Sequence, residues 1–213
     1  MSEKDEVLQQ ISEIKSHLVD KEAFFPYNYS ACHVWSIIAV VLSLSMVSAY
    51  EYSILFGSVM MFVLISIGFM VEGSLTKKVN ESYDIDDCTK RQRFIMMTFL
   101  MMSLFLILMS SVFASYKLYS LGLISWLFII SLGYFSIGFV LNIQRFSKMA
   151  QFNMIAALVL LAIGVYFELL LGYDSLYYTM VQATVIFGLA VVPTSIAYHQ
   201  RKQENETKVG CGV

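Results

Sequence analysis

The 213-residue sequence has few charged side chains. Asp, Glu, Lys and Arg make up 14% of it, whereas hydrophobic residues make up 58% and the mean hydropathy is +0.68. A water-soluble domain normally carries about 25% charged residues. This scarcity excludes an ordinary soluble domain and indicates that the chain folds in lipid.

Proline and cysteine are also rare. The two prolines are Pro26 and Pro193, and the 11 glycines are scattered, so the sequence predicts one membrane domain without internal linkers. The three cysteines, Cys32, Cys88 and Cys211, are all expected at or beyond the cytoplasmic boundary, where disulfides seldom form. The apolar runs lack strict alternation, which excludes a transmembrane β-barrel.

Six apolar runs of membrane-spanning length are present. Each can cross a hydrocarbon core of about 30 Å as a helix, because a helix rises about 1.5 Å per residue and satisfies its own backbone groups. We expect an all-α protein of three consecutive hairpins in the domain 28–199, preceded by a cytoplasmic segment 1–27 and followed by a polar tail 200–213. The predicted spans are 31–50, 53–71, 94–115, 119–141, 152–172 and 176–198.

Basic residues predict the orientation. In the six-span arrangement Lys117 alone of the 14 Lys and Arg residues lies on the side of the short turns. Positive residues concentrate in cytoplasmic loops, so both termini are predicted to be cytoplasmic. We expect a bacterial inner membrane, from the small size of the chain and its lack of further targeting signals.

The N-terminal segment predicts an amphipathic helix. Its narrow apolar stripe has helical spacing, but the segment carries six acids against three lysines, which disfavours binding to anionic lipid. It suits association with another copy or with a protein partner, or alternatively a cap folded against its own bundle. The stripe consists of Val7, Ile11, Ile14 and Leu18.

Two features inside the spans are candidate sites. Glu168 is the acidic residue lying well within an apolar run, and Gln182 in the next run is at a similar depth, so the two could hydrogen-bond across the hairpin. The structural alternative is that the side chain of Glu168 extends to the outer interface of the membrane, or that it only holds two helices together. Pro193 removes a backbone donor and predicts a kink near Thr194 and Ser195.

The second helix of each hairpin ends with a similar short sequence motif. Small residues at helix contacts explain it, while descent of the hairpins from one ancestor is the alternative. The repeat-like packing positions are Ser66, Gly68, Ser136, Gly138, Ser195 and Ala197.

Catalytic and metal-binding patterns are missing from the sequence. The three histidines, His17, His33 and His199, all lie outside the deep parts of the spans, and no nucleotide loop or nucleophile with a base is recognisable. Met97 and Met101 share one helix face, but packing explains them better than copper. We therefore expect no enzyme activity, no cofactor, no metal and no nucleic-acid partner.

The sequence favours a protein that acts in the lipid bilayer by assembly, as an accessory, sensor or regulatory subunit. The alternative is a small transporter or channel, for an uncharged solute or through a pore between subunits, because polar residues within the spans are few. A membrane-embedded enzyme is the weakest of the three classes.

Overall fold

The computed structural model describes residues 28–81, 90–140 and 143–210, and every regular element in these ranges is helical. The N-terminal stripe and Cys88 lie outside the described residues. The helices are α1 (Tyr29–Tyr52), α2 (Ile54–Glu81), α3 (Lys90–Ser115), α4 (Tyr119–Val140), α5 (Gln144–Tyr166), α6 (Leu176–Ile186) and α7 (Val192–Gly210). A π-helical turn, Phe187–Val191, joins α6 to α7 as one continuous span.

Six helical stretches of the described chain are long and apolar enough to cross a membrane, which confirms the predicted all-α multi-pass class. Their outer faces carry many large apolar side chains, such as Phe139 at 81% and Leu55 at 74% exposure. A soluble monomer does not present so extensive an apolar surface to water, whereas hydrocarbon chains solvate it. The chain is therefore a multi-pass membrane protein.

The helices α2 and α3 are longer than predicted. The second predicted span ends at 71 and the third begins at 94, but α2 continues through Glu72 to Glu81, and α3 begins at Lys90. Polarity marks the end of the apolar run, but a helix can continue beyond it. The buried amides of Asn80 and Gln92 exchange two hydrogen bonds, of 2.9 and 2.8 Å, and so join the extended ends of α2 and α3.

The fifth helix differs at both ends from the apolar run 152–172 that predicts the fifth span. The helix α5 begins at Gln144 and ends at Tyr166. After Tyr166 the chain adopts positive φ at Glu168 (57°) and Gly172 (79°), and this left-handed backbone cannot continue a right-handed helix. An apolar sequence therefore continues into a loop, which hydropathy alone could not distinguish from helix.

Serine caps begin two of the helices. Ser53 separates α1 from α2 in an extended conformation, and its hydroxyl accepts the backbone N–H of Phe56 at 3.0 Å. The hydroxyl of Ser175 accepts the N–H of Tyr178 at 3.1 Å and caps α6 in the same way. Each cap satisfies one of the N–H groups that a helix start leaves unpaired.

Consecutive helices pack in an antiparallel sense. On α1 and α2, the ring of Trp35 meets that of Phe69 near one end, and Tyr50 contacts Gly57 near the other. The helices α4 and α5 make the most extensive contact, with Tyr134 stacked on Phe146 at 5.8 Å. The sixth span also packs against α1, so the bundle closes around a common interior.

Polar contacts join the turns at one end of this bundle. The hydroxyl of Tyr119 donates to Glu51 at 2.7 Å, and its ring lies edge-to-face with that of Tyr173 at 5.8 Å. The N–H of Gly172 donates to the carbonyl of Lys117 at 3.0 Å. We call this end, with its three short connections, the turn end.

We predict that Gly138→Ala destabilises the bundle. A Cβ on Gly138 would lie 2.7 Å from the backbone nitrogen of Ser147, and backbone atoms cannot move aside cheaply. The free energy of unfolding in mild detergent should fall by about 1–3 kcal/mol. Gly73→Ala is the matched control, because nothing lies within 4 Å of its added Cβ. Equal effects of the two substitutions would contradict this account.

Candidate functional site

Glu168 has a backbone role at the end of α5. It adopts positive φ, its N–H donates to the carbonyl of Val165 at 3.4 Å, and the next N–H, of Leu169, donates to Gly164 at 2.9 Å. These two bonds form a Schellman motif, in which the left-handed position is usually glycine. The side chain of Glu168 is exposed beyond the helix end, so the structure does not place it within a span.

Gln182 lies inside the bundle but is not joined to Glu168. Its amide donates to the backbone carbonyl of Ser43 on α1 at 2.7 Å. Within the described chain, the hydrogen bond that we considered between Glu168 and Gln182 is not made. Gln182 instead connects the sixth span to the first.

The irregularity of the sixth span lies before Pro193. The N–H of Val192 donates to the carbonyl of Phe187, five residues back, whereas Thr194 and Ser195 belong to regular helix. The sequence analysis placed the irregularity at Thr194 and Ser195, after Pro193. Proline lacks an N–H, so Pro193 cannot donate to the carbonyl four residues earlier, which lies within this π-helical turn.

Side chains of neighbouring helices bond to carbonyls of this π-helical turn. Asn153 on α5 donates to the carbonyl of Gly188 at 3.0 Å. Ser36 on α1 donates to the carbonyl of Ala190 at 2.9 Å, and the hydroxyl of Ser36 accepts from the hydroxyl of Thr194. These bonds supply the partners that backbone groups need in lipid.

The repeat-like positions lie in similar surroundings. Gly68, Gly138 and Ala197 are all buried, Gly68 against Ile38 and Gly138 against Ser147. The serines two residues earlier are less buried, and Ser136 and Ser195 bond to carbonyls of their own helices. Ser66 is half-buried. This arrangement fits helix packing by small residues, and common descent stays a hypothesis.

Two methionines of α3 considered as copper ligands lie away from the interior of the bundle. Met97 and Met101 are 51% and 59% exposed on its outer face. Within the described ranges, no group of three or more His, Cys, Asp or Glu side chains could hold a metal ion.

A central cavity of about 110 Å³ lies between α1, α2, α3, α4 and the sixth span. It is several times larger than the smallest space that holds one water molecule. Its wall is mostly aliphatic and aromatic, which is the usual composition of a binding pocket for small molecules. Residues that define the cavity include Trp35, Ser43, Met46, Met61, Glu72, Phe99, Ser103, Trp126, Tyr134, Val185 and Leu189.

Glu72 brings a carboxyl group to this cavity. Trp35 on α1 donates its indole N–H to Glu72 at 2.8 Å, and both side chains line the wall. Glu72 was not predicted as a site residue, because it lies just beyond the predicted span 53–71. Its position in the sequence was a usable signal, because Glu72 directly follows an apolar run. If the helix continues for one further turn, this side chain stays inside the bundle.

Two serines add hydroxyl groups to the cavity wall. Ser43 and Ser103 are each 3% exposed and line the cavity from α1 and α3. Within the part of the chain that the structure describes, no hydrogen bond involves either hydroxyl, whereas eight other serines donate to the carbonyl four residues earlier. Both hydroxyls are therefore available to a molecule in the cavity.

A groove between α2 and α3 adjoins the cavity. It shares Ile65 and Ser103 with the cavity wall, and its remaining lining includes the exposed residues Phe62 and Leu104. This lateral groove, on the outer surface between α2 and α3, therefore shares part of its wall with the cavity.

Comparison of the chain with known protein families, with curated proteins and with solved structures finds no match.

We predict that Glu168→Gly leaves the fold intact and stabilises it by up to about 1 kcal/mol, because glycine adopts positive φ without steric cost. The measurement is the free energy of unfolding in detergent. Asp174→Gly is the matched control: this acid lies in the same loop without positive φ and should lose stability. Greater destabilisation by Glu168→Gly than by Asp174→Gly would show that the carboxyl group itself is needed.

Proposed function

We propose that the protein binds a small, mainly apolar molecule within its transmembrane bundle and acts without catalysis, as a sensor or accessory subunit. The observation that carries this proposal is the central cavity, with its apolar wall and the hydroxyls of Ser43 and Ser103. A molecule with an apolar body suits such a wall, because burying an unpaired charge against it would be costly.

The lateral groove supports entry of the ligand from the bilayer. It shares Ile65 and Ser103 with the cavity, so a molecule dissolved in lipid could pass between α2 and α3. On this proposal, occupancy of the cavity changes how the bundle assembles with a second copy or another protein through the N-terminal segment.

Transport of an uncharged solute is the second candidate. It is favoured by the π-helical turn of the sixth span, because interrupted helices often border transport pathways, and Leu189 of this turn lines the cavity. Flux distinguishes the two functions. A transporter would speed equilibration of a slowly permeating uncharged solute, such as erythritol, across liposomes, whereas a binding protein would show occupancy of the cavity without flux.

We further propose that both termini are cytoplasmic, in a bacterial inner membrane, with the turn end outside. Support comes from the charges, since Lys117 is the single basic residue at the turn end. Reporter domains inserted after Tyr52, Lys117 and Asp174 should be active outside the cytoplasm, while fusions at either terminus should be active inside. Cytoplasmic activity at all three turns would refute this orientation.

Ligand binding can be measured with the protein's own fluorescence. The chain has two tryptophans, Trp35 and Trp126, and both line the central cavity. Bromohexane carries a short-range quencher on an apolar chain, so we expect saturable quenching of the purified protein in mild detergent. Hexanol should relieve this quenching by competition.

Matched substitutions control for bromohexane dissolved in detergent. Ala39→Phe fills the cavity, because Ala39 lies on its wall, and should abolish the saturable component of quenching. Ala162→Phe adds the same ring on the exposed face of α5 and should leave it unchanged. Quenching that rises linearly with bromohexane in all three proteins would overturn the proposed function.

A further inference from the structure

The acceptor capacity of Glu72 is only partly used inside the bundle. One carboxyl oxygen accepts the indole N–H of Trp35, and no Lys, Arg or His among the described residues forms an ion pair with the carboxyl group. A carboxylate offers about four acceptor positions, so the remaining positions are available to a donor in the cavity.

Aromatic rings surround this acidic end of the cavity. Trp35, Phe99 and Tyr134 line the same wall as Glu72, and the rings of Phe99 and Tyr134 lie edge-to-face at 6.1 Å. The faces of aromatic rings attract cations, and a carboxylate forms its strongest hydrogen bonds with a charged donor. Together these groups suit an ammonium group and disfavour an anion.

The other end of the cavity is apolar. Met46 and Met61 line it, and Met61 lies about 16 Å from Glu72 along the axis of α2 at the usual helical rise. The cavity is thus polar at the end away from the turns and apolar toward the turn end. A molecule that fills it would have one polar head and an apolar body.

We propose that Glu72 binds the protonated amine of a small amphiphile and so determines the ligand class of the central cavity. This inference rests on the proposed function, and it adds the identity of the polar head. In the complex the ammonium group donates to Glu72 beside the rings of Trp35 and Phe99, and the apolar body extends past Ser43 and Ser103 toward Met46.

Three probes with one chain length test the head group. Hexylamine, hexanol and hexanoate compete with bromohexane in the fluorescence measurement, at a pH where the amine is protonated and the acid ionised. We expect hexylamine to bind at least about tenfold more tightly than hexanol, because a charged hydrogen bond is stronger than a neutral one. Hexanoate should bind most weakly.

Glu72→Gln removes the charge and keeps an acceptor for Trp35, so the bundle should still fold. Its affinity for hexylamine should fall at least about tenfold, while its affinity for hexanol should change less than about threefold. Glu81→Gln is the control, because Glu81 is an exposed acid on the same helix. Glu72→Asp should restore part of the preference for the amine.

The outcomes separate the two proposals. Equal binding of hexylamine and hexanol, or an equal loss of both in Glu72→Gln, would refute the role of Glu72 and leave the apolar binding function standing. Absence of competition by all three probes would refute the proposed function itself. Loss of amine binding in Glu81→Gln would show that the effect arises from surface charge.

Discussion

A polar backbone group within hydrocarbon has no water to bind, and this constraint governs the sixth span. Its helix is interrupted by the π-helical turn Phe187–Val191, yet the carbonyls of Gly188 and Ala190 both accept side-chain donors from α5 and α1. The same bonds hold the span against its neighbours. The interruption is therefore tied to the packing of the bundle, and removing either donor would affect both.

Gln182 also makes a hydrogen bond from a side chain to a backbone carbonyl of another helix, but here the donor is on the sixth span and the acceptor is on α1. It lies on the sixth span and donates to the carbonyl of Ser43 on α1. Together with Ser36, it connects the two spans at separate levels along the bundle. These connections lie beside the central cavity, because Ser43 and Leu189 line it. The position of the sixth span is thus linked to the shape of the proposed binding site.

Much of the fold was predictable because lipid imposes a simple rule on composition. Six apolar runs of sufficient length are enough to predict six spans, and the described part of the chain has six helices long and apolar enough to span a membrane. The ends of the helices were less predictable. Hydropathy cannot show that α5 ends at Tyr166, because the loop that follows is as apolar as the helix. It also cannot show that α2 continues to Glu81.

The candidate site was harder to predict than the spans. Glu168 appeared to be intramembrane only because apolar neighbours surround it in sequence, whereas the structure gives it a left-handed backbone in a loop. Glu72 appeared to be a loop residue, although the extended α2 brings it to the cavity. Both errors arose from equating the apolar run with the helix. Trp35 and Ser43 belong to the site because tertiary packing brings them to the cavity. Such contacts between helices cannot be predicted from a single sequence.

The π-helical turn also alters the rotational phase of the sixth span. One residue added to a helical turn shifts every later side chain by about 100° around the axis. A helical wheel drawn through Leu176–Gly210 as one uniform helix therefore assigns residues after Val191 to the wrong face. The surfaces that α6 and α7 present to the bilayer and to neighbouring proteins need to be mapped separately on either side of that turn.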